Sequence, residues 1–100
     1  MEKNKKVIKP EFIFKKNKNK LAWRKIEDTL VLLYIPTNEI YELNRTGAYI
    51  WDKIDGKKNI KEIIVEMCTK FNINYTQNLK RDIIKFIEKL CKWDIIKIKK

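Results

Sequence analysis

The sequence contains no histidine and, from end to end, no serine. Those absences exclude Ser-His-Asp and Cys-His catalysis within the chain, along with the usual His-containing zinc sites. Glycine is limited to two residues, so no glycine-rich loop is available to cradle a phosphate. Cys68 and Cys91 lie far apart and form no CxxC pair. Both fall on or beside apolar helix stripes, which suits buried reduced thiols better than a disulfide or a nucleophile. No apolar run reaches the length of a membrane span, and the lysine-bearing N-terminus lacks the apolar segment of a signal peptide. A cytoplasmic protein is the expectation. The carboxylates offer no pair at a spacing that demands acid–base work: Glu39 and Glu42 flank one strand, and Glu62 and Glu66 share a solvated helix face. No catalytic residue, metal or cofactor is therefore expected.

What is present begins with charge. The net charge is +11, but residues 1–20 carry +6 of it, leaving +5 for the other eighty. A basic, flexible N-terminal arm over 1–20 is the expectation, followed by a single domain over 21–100. An arm of this kind favours anionic partners or simply aids solubility. Within it lies an apolar island, Val7-Ile8 and Phe12-Ile13-Phe14 around Pro10. That island could add a strand or join a second protomer in a homodimer, and the composition leaves both open.

Residues 30–35 form an unbroken apolar run, Leu-Val-Leu-Leu-Tyr-Ile, and read as a strand covered on both faces. Residues 21–26 precede it as a first strand, with Glu27-Asp28-Thr29 as the reversal. Pro36-Thr37-Asn38 supplies turn chemistry, and residues 39–43 then form a third strand with one wetter side. Short connections make this a meander, so residues 30–35 are central and residues 39–43 an edge.

Three helices follow. Asn44 caps the first, over about 45–54, which Asp55-Gly56 stops. Asn59 with Glu62 makes a variant capping box for the second. Its stripe of Ile60, Ile63, Ile64, Met67 and Phe71 has the spacing of an amphipathic helix, and Asn72-Ile73-Asn74 ends it. The third runs from near Thr76 to Trp93, and residues 95–98 form a short closing strand or wing. On the third helix Leu79, Ile83, Phe86, Leu90 and Trp93 suffice for a core-facing stripe. Ile84, Ile87 and Cys91 widen the apolar arc on one flank, bordered by Arg81, Lys85, Lys89 and Lys92. Either the sheet or the closing strand covers that flank, or it is the wall of a groove against the edge strand.

VLLY, a turn, then IYELNRTGAYIWDKIDGKKNIKEIIVEM resembles the PqqD-like proteins. These are the recognition elements of pathways that make ribosomally synthesised, post-translationally modified peptides. The resemblance covers about residues 21–96. It rests on the apolar strand, Leu43-Asn44, Gly47-Ala48, Trp51, Asp55-Gly56, Asn59-Ile60 and Trp93-Asp94-Ile95-Ile96. The family often has glycine where this chain has Asp94 and within the turn at Pro36-Thr37-Asn38, but Asp and Asn both tolerate a left-handed backbone.

The resemblance implies an α+β, winged helix-turn-helix-like fold with a three-stranded antiparallel sheet followed by three helices. It further implies a non-catalytic peptide chaperone that takes the leader of a precursor peptide as an added strand and presents it to a modifying enzyme. A radical SAM maturase or a leader peptidase–cyclase system is the implied enzyme. The residues expected to contact the peptide are Glu39, Ile40, Tyr41, Glu42 and Leu43 on the strand, with Lys80, Arg81, Ile84, Lys85, Ile87, Glu88 and Cys91 on the helix. Ile84, Ile87 and Cys91 would line pockets, with Arg81 and Lys85 pairing acidic groups. The competing reading is a small winged-helix nucleic-acid binder, with Gln77, Asn78 and Arg81 at the start of the third helix. An apolar flank at Ile84 and Ile87 speaks against it, since phosphate gains nothing from such a surface.

Overall fold

In the computed structural model, which describes residues 8–99, the elements run β1 (Phe14–Lys16), a 3-10 turn (Lys18–Lys20), β2 (Leu21–Ile26), β3 (Thr29–Tyr34) and β4 (Glu39–Leu43). Helices α1 (Arg45–Lys53), α2 (Ile60–Phe71) and α3 (Gln77–Lys92) follow, and β5 (Ile96–Ile98) closes the chain. Strands β2, β3 and β4 form the expected antiparallel meander, with β3 in the centre. The fold is α+β. No helix among the described residues is long and apolar enough to cross a membrane.

Local chemistry explains the joints. The β2–β3 hairpin pairs Ile26 with Thr29 and leaves Glu27, at φ 56°, to make the reversal. The β3–β4 hairpin pairs Tyr34 with Glu39, and Asn38, at φ 63°, donates its N–H to the Tyr34 carbonyl at 2.8 Å. Replacing Asn38 with glycine is thus expected to leave stability within about 0.5 kcal/mol, whereas valine costs about 1–2 kcal/mol. Thermal denaturation of the two variants checks this.

The helix starts follow the capping residues. The Asn44 side chain accepts from Gly47 N at 2.9 Å, Asn59 and Glu62 exchange both bonds of a capping box, and the Thr76 hydroxyl accepts from Leu79 N at 3.0 Å. Gly56, at φ 80°, and Asn72, at φ 54°, turn the chain out of α1 and α2.

One sequence expectation fails here. Strand β3 is not covered on both faces: Leu30 and Leu32 are buried, while Val31 and Leu33 are only partly so. The core lies on one side of the sheet, against Leu43, Ile50, Trp51, Ile64, Met67, Ile87 and Leu90, and among the described residues the opposite face is left partly exposed. An apolar run alone cannot say whether a second layer exists to cover it. Trp51 is 2 % exposed, with Trp23 edge-on at 4.8 Å and the Lys16 ammonium 4.5 Å from its ring, yet its indole N–H finds no acceptor among the described residues.

Folded chain also extends N-terminal of the expected boundary at Leu21. Ile8 and Phe14 are buried, and Pro10, Phe12 and Phe14 accept backbone hydrogen bonds from Lys61, Ile60 and Gly56. Strand β1 pairs antiparallel with β5, Phe14 opposite Ile98. The apolar island thus adds a strand to the chain's own C-terminus; Val7 and the residues before it lie outside the described residues. The consequence for the rest of the molecule is simple. The closing strand is used by β1 and does not cover β4.

Candidate functional site

Strand β4 is an edge. Among the described residues it pairs only with β3, and no backbone group of Glu39–Leu43 bonds elsewhere. In an antiparallel strand alternate residues turn their N–H and C=O outward, so this edge offers a row of unused donors and acceptors. Strand β2 is the other edge, but its flank carries charge: the hollow beside it is lined by Lys25, Asp28, Arg45, Asp52, Lys53 and Lys70 around Tyr49 and Phe71.

Beside β4 lies a cleft of about 380 Å³, walled by the end of β4, the first turns of α1 and one face of α3. Leu43, Ile50, Met67, Leu79, Ile83, Phe86 and Trp93 make it apolar, and Glu42, Asn44, Thr46, Asp82 and Lys89 supply polar groups. Gly47 lies within it for a steric reason. A Cβ there would stand 3.1 Å from the Cζ tip of the Phe86 ring, so glycine leaves room for that ring to approach α1 closely. Trp93 closes one end, stacked on Tyr41 at 4.1 Å with planes 18° apart. The Tyr41 hydroxyl donates to Glu39 at 3.1 Å; burial first, and then that carboxylate, raise its pKa.

The position of Trp93 is fixed by its neighbour. Asp94 adopts φ 62°, the left-handed turn anticipated where the family often has glycine. Its carboxylate receives the Lys20 ammonium at 2.8 Å and the Tyr34 hydroxyl at 2.6 Å, while the Asn17 amide donates to its carbonyl at 2.7 Å. Lys20, then Tyr34, hold the Asp94 carboxyl below the usual range, and the same bond to Asp94 raises the Tyr34 hydroxyl. This staple ties the 3-10 turn, β3 and the end of α3 together beside the cleft.

The anticipated site residues divide. Glu39, Ile40, Tyr41, Glu42 and Leu43 all lie on the open edge, and Glu42 and Leu43 also line the cleft. The helical set does not join them. Lys80, Arg81, Ile84, Lys85 and Glu88 line, with Gln77, a separate shallow depression. Ile87 is 1 % exposed in the core, and Cys91 is half-buried against it. At 100° per residue Ile84 lies roughly 160° around α3 from Phe86, so the two face nearly opposite ways. The wall facing β4 is Leu79, Asp82, Ile83, Phe86, Lys89 and Trp93. Four of these belong to the stripe read as core-facing, of which Ile83 is buried and Leu79, Phe86 and Trp93 remain partly exposed. The available signal was the pair of aromatic rings on that stripe, next to Asp82 and Lys89 at its border.

Among the described residues no group of three or more His, Cys, Asp or Glu could hold a metal ion. What the arrangement offers is main-chain pairing along β4 and apolar burial beside it, the two requirements of an extended peptide segment. Comparison with known proteins bears on the same region. The family model described as coenzyme PQQ synthesis protein D (PqqD) matches residues 29–96. Among solved structures, TbiB1 in complex with the TbiA(beta) leader peptide matches with a TM-score of 0.73 at 23% identity, over 83% of this chain and 94% of that one. Likeness at that identity establishes the fold. Comparison with curated proteins gives no match.

Proposed function

The chain belongs to the PqqD family, and from that premise we propose that it is a non-catalytic leader-peptide-binding protein. It takes the leader of a ribosomally made precursor as a strand along β4 and presents that precursor, in the cytoplasm, to a modifying enzyme. A radical SAM maturase or a leader peptidase–cyclase system fits that role. The observation that carries the reading is the open β4 edge beside an apolar cleft, left open because β5 pairs with β1. The leader seen with TbiB1 supports it, since that protein shares this fold.

The energetics suit a carrier. Main-chain bonds to β4, at ~0.5–1.5 kcal/mol net each, give affinity without much sequence information. Two apolar leader side chains entering the cleft add ~1.5–3 kcal/mol each and provide the selectivity. Ordering a flexible leader removes ~2–5 kcal/mol, and lost translational freedom removes more. These terms largely offset one another, which favours a weak, reversible complex; we place its dissociation constant at about micromolar, a range that lets the substrate be released. Calorimetric titration of the leader region of the cognate precursor is expected to give one-to-one binding in that range, with quenched Trp93 fluorescence. Absence of binding at hundred-micromolar peptide would sink the reading.

A further inference from the structure

A recess of about 240 Å³ opens at the other side of the Asp94 staple, lined by Lys15, Lys16, Lys18, Lys20 and Lys97 with two asparagines between them. Two of these ammoniums are already engaged. Lys16 turns inward, donates to the Ile54 carbonyl at 2.8 Å and has its pKa lowered, chiefly by burial. Lys20 is paired with Asp94 at 2.8 Å, and Asp52 and Asp55 act on Lys16 from the side of α1. Lys15, Lys18 and Lys97 form no ion pair among the described residues. Moreover, Lys15 and Lys97 stand directly opposite each other in the β1–β5 ladder, a like-charge register that destabilises the isolated fold. A bound anion would relieve it.

The recess is also placed in line with the cleft. Trp93 walls the cleft, Asp94 follows it, and Lys20 on Asp94 walls the recess. Tyr34, bonded to the same carboxylate, is the β3 residue opposite Glu39, where β4 begins. A peptide strand continuing along β4 past Glu39 would run toward the Tyr34–Asp94–Lys20 staple and the recess behind it. We infer that this recess is a second contact site, taking a carboxylate-rich segment that flanks the strand bound along β4; this rests on the peptide-binding reading above. A nucleic acid is the poorer occupant, because no aromatic side chain lines the recess to stack a base. Lysines hold carboxylates as point charges without a fixed fork, which suits a segment defined by charge more than by order.

The test uses the full chain, 15N-labelled, and the variant carrying both Lys18→Gln and Lys97→Gln. A hexaglutamate peptide is expected to shift the amide signals of Lys15, Lys18 and Lys97 at about millimolar concentration and to lose that effect at high salt. The double variant should not respond. Hexaglutamate has no apolar side chain, so it reports on the recess alone, and its failure is distinct from failure of leader binding in the cleft. No shift at these lysines, equal shifts in the double variant, or tighter binding of a ten-residue oligothymidylate would each overturn the assignment. With the cognate leader, the double variant is expected to bind about tenfold more weakly at low salt. Unchanged leader affinity overturns it as well.

Discussion

Leu79→Glu is expected to weaken leader binding by a hundredfold or more while the fold persists. Leu79 is half-buried on the cleft face of α3, one helical stack with Phe86. The substitution removes an apolar contact worth ~1.5–3 kcal/mol. It also places a carboxylate where the peptide would strip its water, adding ~1–3 kcal/mol of uncompensated desolvation. The two together come to about 2.5–6 kcal/mol, against the roughly 2.7 kcal/mol that a hundredfold change requires. The matched control is Ile84→Glu, on the far side of the helix and away from β4, where binding is expected to change less than about threefold. Calorimetric titration of both variants separates the cases, with circular dichroism to confirm the fold. If Ile84→Glu abolishes binding and Leu79→Glu does not, the peptide lies on the other flank of α3.

The second large effect is on stability. Ile87→Glu buries a carboxyl group at a position 1 % exposed, in a core shared with Leu90 and Met67. Loss of the apolar side chain and an unpaired polar group in its place are expected to cost about 4 kcal/mol or more. That is a quarter or more of the roughly 5–15 kcal/mol margin of a folded domain. Ile87→Val, which keeps the shape of the contact, is expected to cost about 0.5–1.5 kcal/mol. Urea unfolding distinguishes these outcomes. A well-folded Ile87→Glu protein that had merely lost peptide binding would mean that Ile87 is a groove residue.

These contrasts mark where the sequence was legible. Joints with local chemistry were readable in advance: the caps at Asn44 and Asn59, the start of the third helix near Thr76, the stop at Gly56, and the left-handed turns at Asn38 and Asp94. Each depends on one or two neighbouring residues, so spacing alone specifies it. The edge strand was readable as well, because a meander of three short-looped strands has only one central member. Less local matters were not. The apolar run of β3 looked two-sided because Val31 and Leu33 are apolar, and nothing in the run tells whether a second layer exists. The apolar arc of α3 exceeds what the core needs on both sides of Ile83 and Ile87, and only the path of the sheet decides which flank meets β4. That choice turned on Phe86 and Trp93, which a helical wheel assigns to the core as readily as to a cleft. The pairing of Phe14 with Ile98 joins the two ends of the chain, and no local pattern encodes such a register.

Amide hydrogen exchange along the sheet tests the central claim most directly. In the free protein the outward-facing amides of β4 have no acceptor among the described residues and should exchange freely, while those facing β3 are protected. On saturation with the leader peptide, the outward amides of residues 39–43 are expected to slow at least tenfold as they donate to the added strand. The outer amides of β2, the opposite edge, are expected to stay unchanged. Saturated binding that leaves β4 exchange untouched, or that protects β2 in its place, would contradict the account.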